Sequence, residues 1–206
     1  FGEDEILIYT TRCGFKRFRG RAASKIMKAL IFTGALERRE DSTSERLSSY
    51  LSEELKAKGI ETTIFKIADS GIPLFDITLK KTPYAVELMS VQFLQADVHI
   101  WLTPLYHGSM TGVMKNCLDW LECTANYPKP YLTGKKVGLV CWADGVQAMQ
   151  GINAMDSVAK SLRAWPVPYS VPIQRFDLFD ENGDVSENYK ERFEILLQLL
   201  IQKHGV

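Results

Sequence analysis

Thr103-Pro104-Leu105-Tyr106-His107-Gly108-Ser109-Met110-Thr111-Gly112-Val113-Met114-Lys115-Asn116-Cys117-Leu118-Asp119-Trp120-Leu121 follows a short apolar run, Val98 to Leu102, that reads as the end of a strand. Val113, Cys117, Trp120 and Leu121 then recur at helical spacing, so a helix begins near Gly112. Between the two lies a strand–loop–helix junction rich in turn residues, whose backbone can come close to a flat ligand. An ordinary turn joining strand to helix has the same composition. The choice between these readings rests on the rest of the chain.

Working outward, Ile26 to Phe32 is a nearly continuous apolar run, as expected of a buried central parallel strand. A charged loop leads to Ser42, a helix N-cap candidate with Glu45 three residues on in a capping-box pattern. Leu47, Tyr50, Leu51 and Leu55 form the apolar stripe of a helix ending near Gly59. Ile60 to Ile67 alternates as a second strand, Asp69 to Lys81 reads as a long loop, and Pro83 to Leu94 as a modest helix. Beyond the opening stretch come a strand over Lys136 to Trp142 and a helix from about Met149 to Arg163. A proline-limited edge strand over Trp165 to Pro172 and a helix over Glu187 to His204 complete the order. Strands and helices alternating in this way imply a parallel sheet with helices on both faces.

The 206 residues suit one α/β domain, expected over 25–206, with a core large enough to need neither disulfides nor metal. Phe1 to Ser24 reads as an N-terminal extension: its basic Phe15-Lys16-Arg17-Phe18-Arg19-Gly20-Arg21 has no helical or strand period. Twenty-five basic residues balance 25 acidic ones, so global charge offers no argument for nucleic acid or an anionic membrane as partner. No apolar run reaches the roughly 18 residues of a membrane span. Four cysteines (Cys13, Cys117, Cys123, Cys141) show no CxxC pair and no histidine at metal-ligand spacing. Free thiols point to a cytoplasmic location, or an organellar one if the basic stretch is a targeting remnant.

In open parallel sheets, ligands bind beyond the carboxyl ends of the strands where strand order reverses; for the order 2-1-3-4-5 that lies between the first and third strands. The two unusual loops follow those two strands. Hydroxyls and free N–H groups at Ser42-Thr43-Ser44 suit a phosphate monoester, although hydroxyls there also serve as plain caps. Arg38 and Arg39 can add charge, or can pair with Glu37, Glu40 and Asp41 around them. Neither GxxxxGK[ST], GxGxxG nor GxSxG is present, which disfavours a nucleoside triphosphatase, a dinucleotide fold and an α/β-hydrolase. His99, inside an apolar strand, reads as a core residue.

Pro104, Tyr106, Gly108-Ser109, Gly112, Lys115-Asn116 and Asp119-Trp120 together resemble the signature of the NAD(P)H-dependent flavin mononucleotide (FMN) reductases, roughly Pro-x-Tyr-x-Gly-Ser-x-x-Gly-x-x-Lys-Asn-x-x-Asp-Trp. Gly34-Ala35-Leu36 with Ser42-Thr43-Ser44 resembles that family's phosphate loop more loosely. The resemblance covers about Lys25 to Val206 and implies a flavodoxin-like, doubly wound five-stranded parallel sheet. It also implies FMN as cofactor, NADPH or NADH as reductant, and free flavin, a quinone or a similar small acceptor. A homodimer or homotetramer is the implied assembly.

Carried over by residue, Ser42, Thr43 and Ser44 would hold the flavin phosphate, near Ala35 and with Arg38 or Arg39 assisting. Pro104, Leu105, Tyr106, His107, Gly108 and Ser109 would line the ring. Trp142, Asp144 and Gly145 match the third loop, where Trp142 can equally be a core residue. The chain departs from the pattern at Ala35 (usually Ser), Glu37 (usually Arg) and His107 (often Asn). No catalytic side chain and no metal are expected, because hydride chemistry belongs to the flavin. Two other classes stay open: a flavodoxin-type electron carrier, usually strongly acidic, and an FMN-binding sensory module without turnover.

Overall fold

The computed structural model describes residues 26–202; the expected extension over 1–24 lies outside them. Four strands, Lys28–Thr33 (β1), Glu61–Lys66 (β2), Val98–Pro104 (β3) and Lys136–Ala143 (β4), run parallel in the order β2-β1-β3-β4. Ala29 lies opposite Val98, and Val98 opposite Lys136. The expected order 2-1-3-4-5 is therefore present, but the last strand is broken. Trp165–Pro166 (β5) and Val171–Gln174 (β6) both pair with β4. Val137 meets Pro166 and Val140 meets Val171, so the edge carries two more residues than β4 between those pairings. Pro168 stands in that bulge, where it has no ladder bond to break.

Because β1, β3 and β4 are covered on both faces, their residues are apolar in both registers. Leu30, Phe32, Trp101, Leu139 and Cys141 face a core shared with the helices Tyr84–Gln95 (α3), Gly112–Asp119 (α4) and Ala148–Ser161 (α5). Ile31, Ile100, Leu102, Val140 and Trp142 face Thr43–Ala57 (α1) and Glu187–Ile201 (α6). The segment read as a loop over 69–81 begins inside a single helical turn, Ile67–Ser70 (α2), which takes its first two residues. A 3-10 turn, Trp120–Thr124, continues α4.

Ser42 caps α1 as expected, accepting the Glu45 N–H at 3.3 Å. The return half of the capping box is absent. Glu45 is taken by Lys66 at the end of β2 at 2.5 Å, and the Ser42 N–H donates to the Arg39 carbonyl. A full ion pair outweighs a neutral N–H donor for that carboxylate.

Candidate functional site

At the carboxyl ends of the strands lies a cleft of about 730 Å3, within the range of small-molecule and cofactor sites. The segments after β1 (Ala35, Leu36, Glu37), β3 (Leu105, Tyr106), β4 (Asp144) and β6 (Arg175) all reach it, with Pro104 at the end of β3, the α4 cap Thr111, and Gly112 and Val113 at the start of α4. Trp142 lines the cleft while packing in the α1/α6 core. Apolar surface dominates the walls, which suits a flat conjugated ring.

Thr111 ties the two principal loops together. It caps α4, accepting the Met114 N–H at 3.2 Å, and donates its hydroxyl to the Gly34 carbonyl at 2.6 Å. Gly34 in turn donates its N–H to Leu102 on β3 at 2.7 Å. The loop after β1 is thus fixed relative to the loop after β3 by buried, well-satisfied bonds.

The second loop folds back in a two-residue hairpin. Tyr106 and Ser109 exchange N–H to carbonyl bonds at 3.1 and 3.0 Å, with His107 at φ 48° and Gly108 at φ 80°. Positive φ at both central residues is the geometry for which Asn-Gly is favoured, and histidine is among the residues that tolerate it. His107, where the resembled pattern often has Asn, is therefore compatible with this turn. The Ser109 N–H is consumed inside the turn and is not aimed at a ligand, whereas those of His107 and Gly108 lie outside this pairing.

Of the residues expected at the site, the cleft wall includes Ala35, Pro104, Leu105, Tyr106, Trp142 and Asp144. His107, Gly108, Ser109 and Gly145 belong to the same loops but do not reach it. Ser42, Thr43 and Ser44 are buried at the start of α1, where the Ser42 and Ser44 hydroxyls lie 3.1 Å apart. The cap takes the Glu45 N–H, which leaves those of Thr43 and Ser44 at the helix start. Arg38 pairs with Asp69 at 3.2 Å and bonds the Ala68 carbonyl, and Arg39 pairs with Glu37 at 3.5 Å. Both arginines are held by acids rather than directed at the start of α1. Arg175, paired with Asp144 at 2.7 Å, was not foreseen.

The remaining motif residues have a structural task. Asn116 donates to the Pro73 carbonyl at 2.9 Å and accepts the Phe75 N–H at 2.7 Å, and Trp120 Nε1 donates to the same Pro73 carbonyl at 2.8 Å. Lys115 and Asp119 form an ion pair one turn apart. Asn116 and Trp120 clamp the segment after α2 onto α4. Asn116→Leu is expected to cost about 1–2 kcal/mol, two bonds at roughly 1 kcal/mol each, in urea unfolding, with flavin affinity retained. Flavin affinity lost at unchanged stability would instead make Asn116 a ligand contact.

The family model for NADPH-dependent FMN reductase matches residues 27–177, well over half of the chain. The chain belongs to the NADPH-dependent FMN reductase family. It is 30% identical over 166 residues to an FMN-dependent NADPH-azoreductase of Staphylococcus aureus (strain USA300), covering 78% of this chain and 83% of that one. It is 27% identical over 177 residues to the NADPH-dependent FMN reductase ArsH of Rhizobium meliloti (strain 1021), covering 85% and 71%. The structure of FerB, a flavoenzyme NAD(P)H:(acceptor) oxidoreductase from Paracoccus denitrificans, superposes with a TM-score of 0.69 at 19% identity, covering 88% of this chain and all of that one. That likeness carries the fold, the flavodoxin-like doubly wound parallel sheet that was expected. Among the described residues, no helix is long and apolar enough to cross a membrane, and no cluster of three metal-ligating side chains occurs.

Proposed function

We propose that the cleft holds the FMN ring and serves reduction of a small acceptor (free flavin, a quinone or a similar molecule) by NADPH or NADH. The observation that carries this is the convergence of the loops after β1 and β3 on one apolar cleft at the switch point of the sheet. FMN, when bound, would supply the chemistry of hydride transfer between the nicotinamide and the acceptor. The protein's part is to bind, orient and exclude water. Pro104, Leu105, Tyr106, Ala35 and Trp142 offer apolar contact to the ring. Thr43 and Ser44, with Ser42, form the phosphate end at the start of α1. Arg38 and Arg39 join it only by exchanging Asp69 and Glu37 for the phosphate. The fit is good on shape and polarity and lacks a dedicated cation at the phosphate end.

A homodimer or homotetramer is part of the same proposal, supported by Tyr84, Leu88 and Val91, exposed at helical spacing along α3. The unpaired thiols of Cys117, Cys123 and Cys141 suit a reducing compartment such as the cytoplasm. The test is to add FMN to the purified protein, record the visible spectrum, and then follow NADPH oxidation with a quinone. Bound flavin with quinone-dependent turnover is expected, and a colourless protein without flavin affinity sinks the proposal. Bound flavin without turnover would indicate an electron carrier or sensory module instead. Light scattering on the same sample reads the assembly, and a monomer there overturns the oligomer.

A further inference from the structure

Arg175 is the one cation on the cleft wall among the described residues; the acids there are Glu37 and Asp144. It opens the short turn after β6, and its Nε lies 2.7 Å from Asp144 Oδ1. The other nearby cations stand off the cleft wall, Arg38 beside Asp69, Arg39 beside Glu37, and Lys66 beside Glu45. An anionic group entering the cleft therefore meets a single basic head. A guanidinium carries five N–H donors, and a bond through Nε leaves its terminal fork, whose planar geometry matches a phosphate.

Arg175 is badly placed to hold the flavin phosphate. The sheet order β1-β3-β4-β6 puts the end of β6 three strand spacings, about 14 Å, from the end of β1. The phosphate end proposed above, at the start of α1, belongs to the β1 side. The start of α1, just off the cleft wall, and the end of β6 are thus separate polar positions, and Arg175 stands at the one that the flavin phosphate does not use. The second anionic molecule in the reaction is the reductant, whose pyrophosphate (and, in NADPH, a further phosphate) must rest outside the ring pocket.

We propose that Arg175 recognises the phosphates of the nicotinamide dinucleotide, with Asp144 as the positioning residue that holds the guanidinium at the rim. Both side chains are about half exposed or more, 47% and 66%, and an exposed ion pair is worth only about 0–1 kcal/mol. Asp144 therefore orients the guanidinium without competing strongly against a doubly charged phosphate. The inference rests on the FMN reading, since without flavin in the cleft the dinucleotide has no partner there.

The test is calorimetric titration of FMN-loaded protein with NADP+, which binds without turning over, for wild type, Arg175→Gln and Arg175→Lys. Arg175→Gln is expected to raise the NADP+ dissociation constant at least about ten-fold, the loss of one charge-assisted contact, and to flatten its salt dependence. Arg175→Lys, which keeps the charge but not the fork, should fall between. FMN affinity, read from flavin fluorescence, should stay within about two-fold, because the removed contact serves the other ligand. Unchanged NADP+ affinity in Arg175→Gln, or no measurable NADP+ binding by the flavin-loaded wild type, overturns the inference alone. Flavin affinity lost with Arg175 also overturns it, assigning the residue to FMN. A wild-type protein that binds no FMN removes the underlying reading as well.

Discussion

Gly151→Ala is expected to destabilise the domain by about 1–3 kcal/mol, the usual cost of overpacking. The direction is not obvious, because Gly151 lies inside α5, where alanine is favoured over glycine by about 1 kcal/mol. Geometry decides it. A Cβ at this position falls 2.4 Å from Cys141 Sγ on β4 and 3.2 Å from Leu105 Cδ1. Cys141 is completely buried and has one side-chain torsion, so its sulfur has no free direction in which to swing. Either α5 lifts from β4 or the sulfur is forced into its neighbours. Leu105 is a wall of the cleft, so the displacement also reaches the ring site, and weaker flavin binding should accompany the loss of stability. Removing the obstructing sulfur is the control. Gly151→Ala/Cys141→Ala should be more stable than Gly151→Ala alone, a coupling that a double-mutant cycle in urea reads directly. A single Gly151→Ala protein as stable as wild type would mean that helix propensity prevails and the close approach is relaxed at no cost.

The parts of this molecule that were legible in the sequence are those whose signal is local. Ile26 to Phe32 and Val98 to Leu102 announce central strands because burial on both faces leaves no room for polar alternation. Turn chemistry and its position after the third strand single out the loop from Pro104 to Ser109, of which Pro104, Leu105 and Tyr106 line the cleft. Contacts between distant segments were hidden. Arg38 finds Asp69 thirty-one residues away, and Arg175 finds Asp144 at the end of the neighbouring strand, so no spacing rule could say which arginine would stand at the site. Asn116 and Trp120 carry part of the motif that suggested the family, yet they act on Pro73, more than forty residues earlier. The break in the last strand was equally hidden, since it depends on two extra residues relative to β4. In each case the local rule offered several partners, and tertiary packing chose one.

Below pH 6.5 the protein is expected to lose stability through His99, by up to about 1.4 kcal/mol per pH unit. The ring is wholly buried on β3, with Nε2 3.0 Å from the Phe93 carbonyl oxygen. A carbonyl can only accept, so Nε2 carries the proton and Nδ1 is bare, with no hydrogen-bond partner among the described residues. Protonation would place a charge and a second N–H where nothing accepts it. Burial, reinforced by the nearby charge of Lys135 and only partly opposed by the Phe93 bond, lowers the His99 pKa from 6.5 to about 3. Between those values the unfolded chain binds a proton that the folded chain refuses, so unfolding is favoured as pH falls. The stabilising contribution is complete above 6.5, and about 2 kcal/mol of it is gone by pH 5. His99→Leu supplies the comparison. That variant starts less stable, because it leaves the Phe93 carbonyl without its donor, at a cost of about 1–3 kcal/mol. That offset does not change with pH, whereas the carboxylates that titrate at lower pH are common to both proteins. Urea unfolding at pH 7.5, 6 and 5 should therefore show the two stabilities converging as the solution is acidified. Parallel lines over that range would mean that the imidazole accepts its proton in the folded state, through water admitted to Nδ1 or a shift of β3 away from α3.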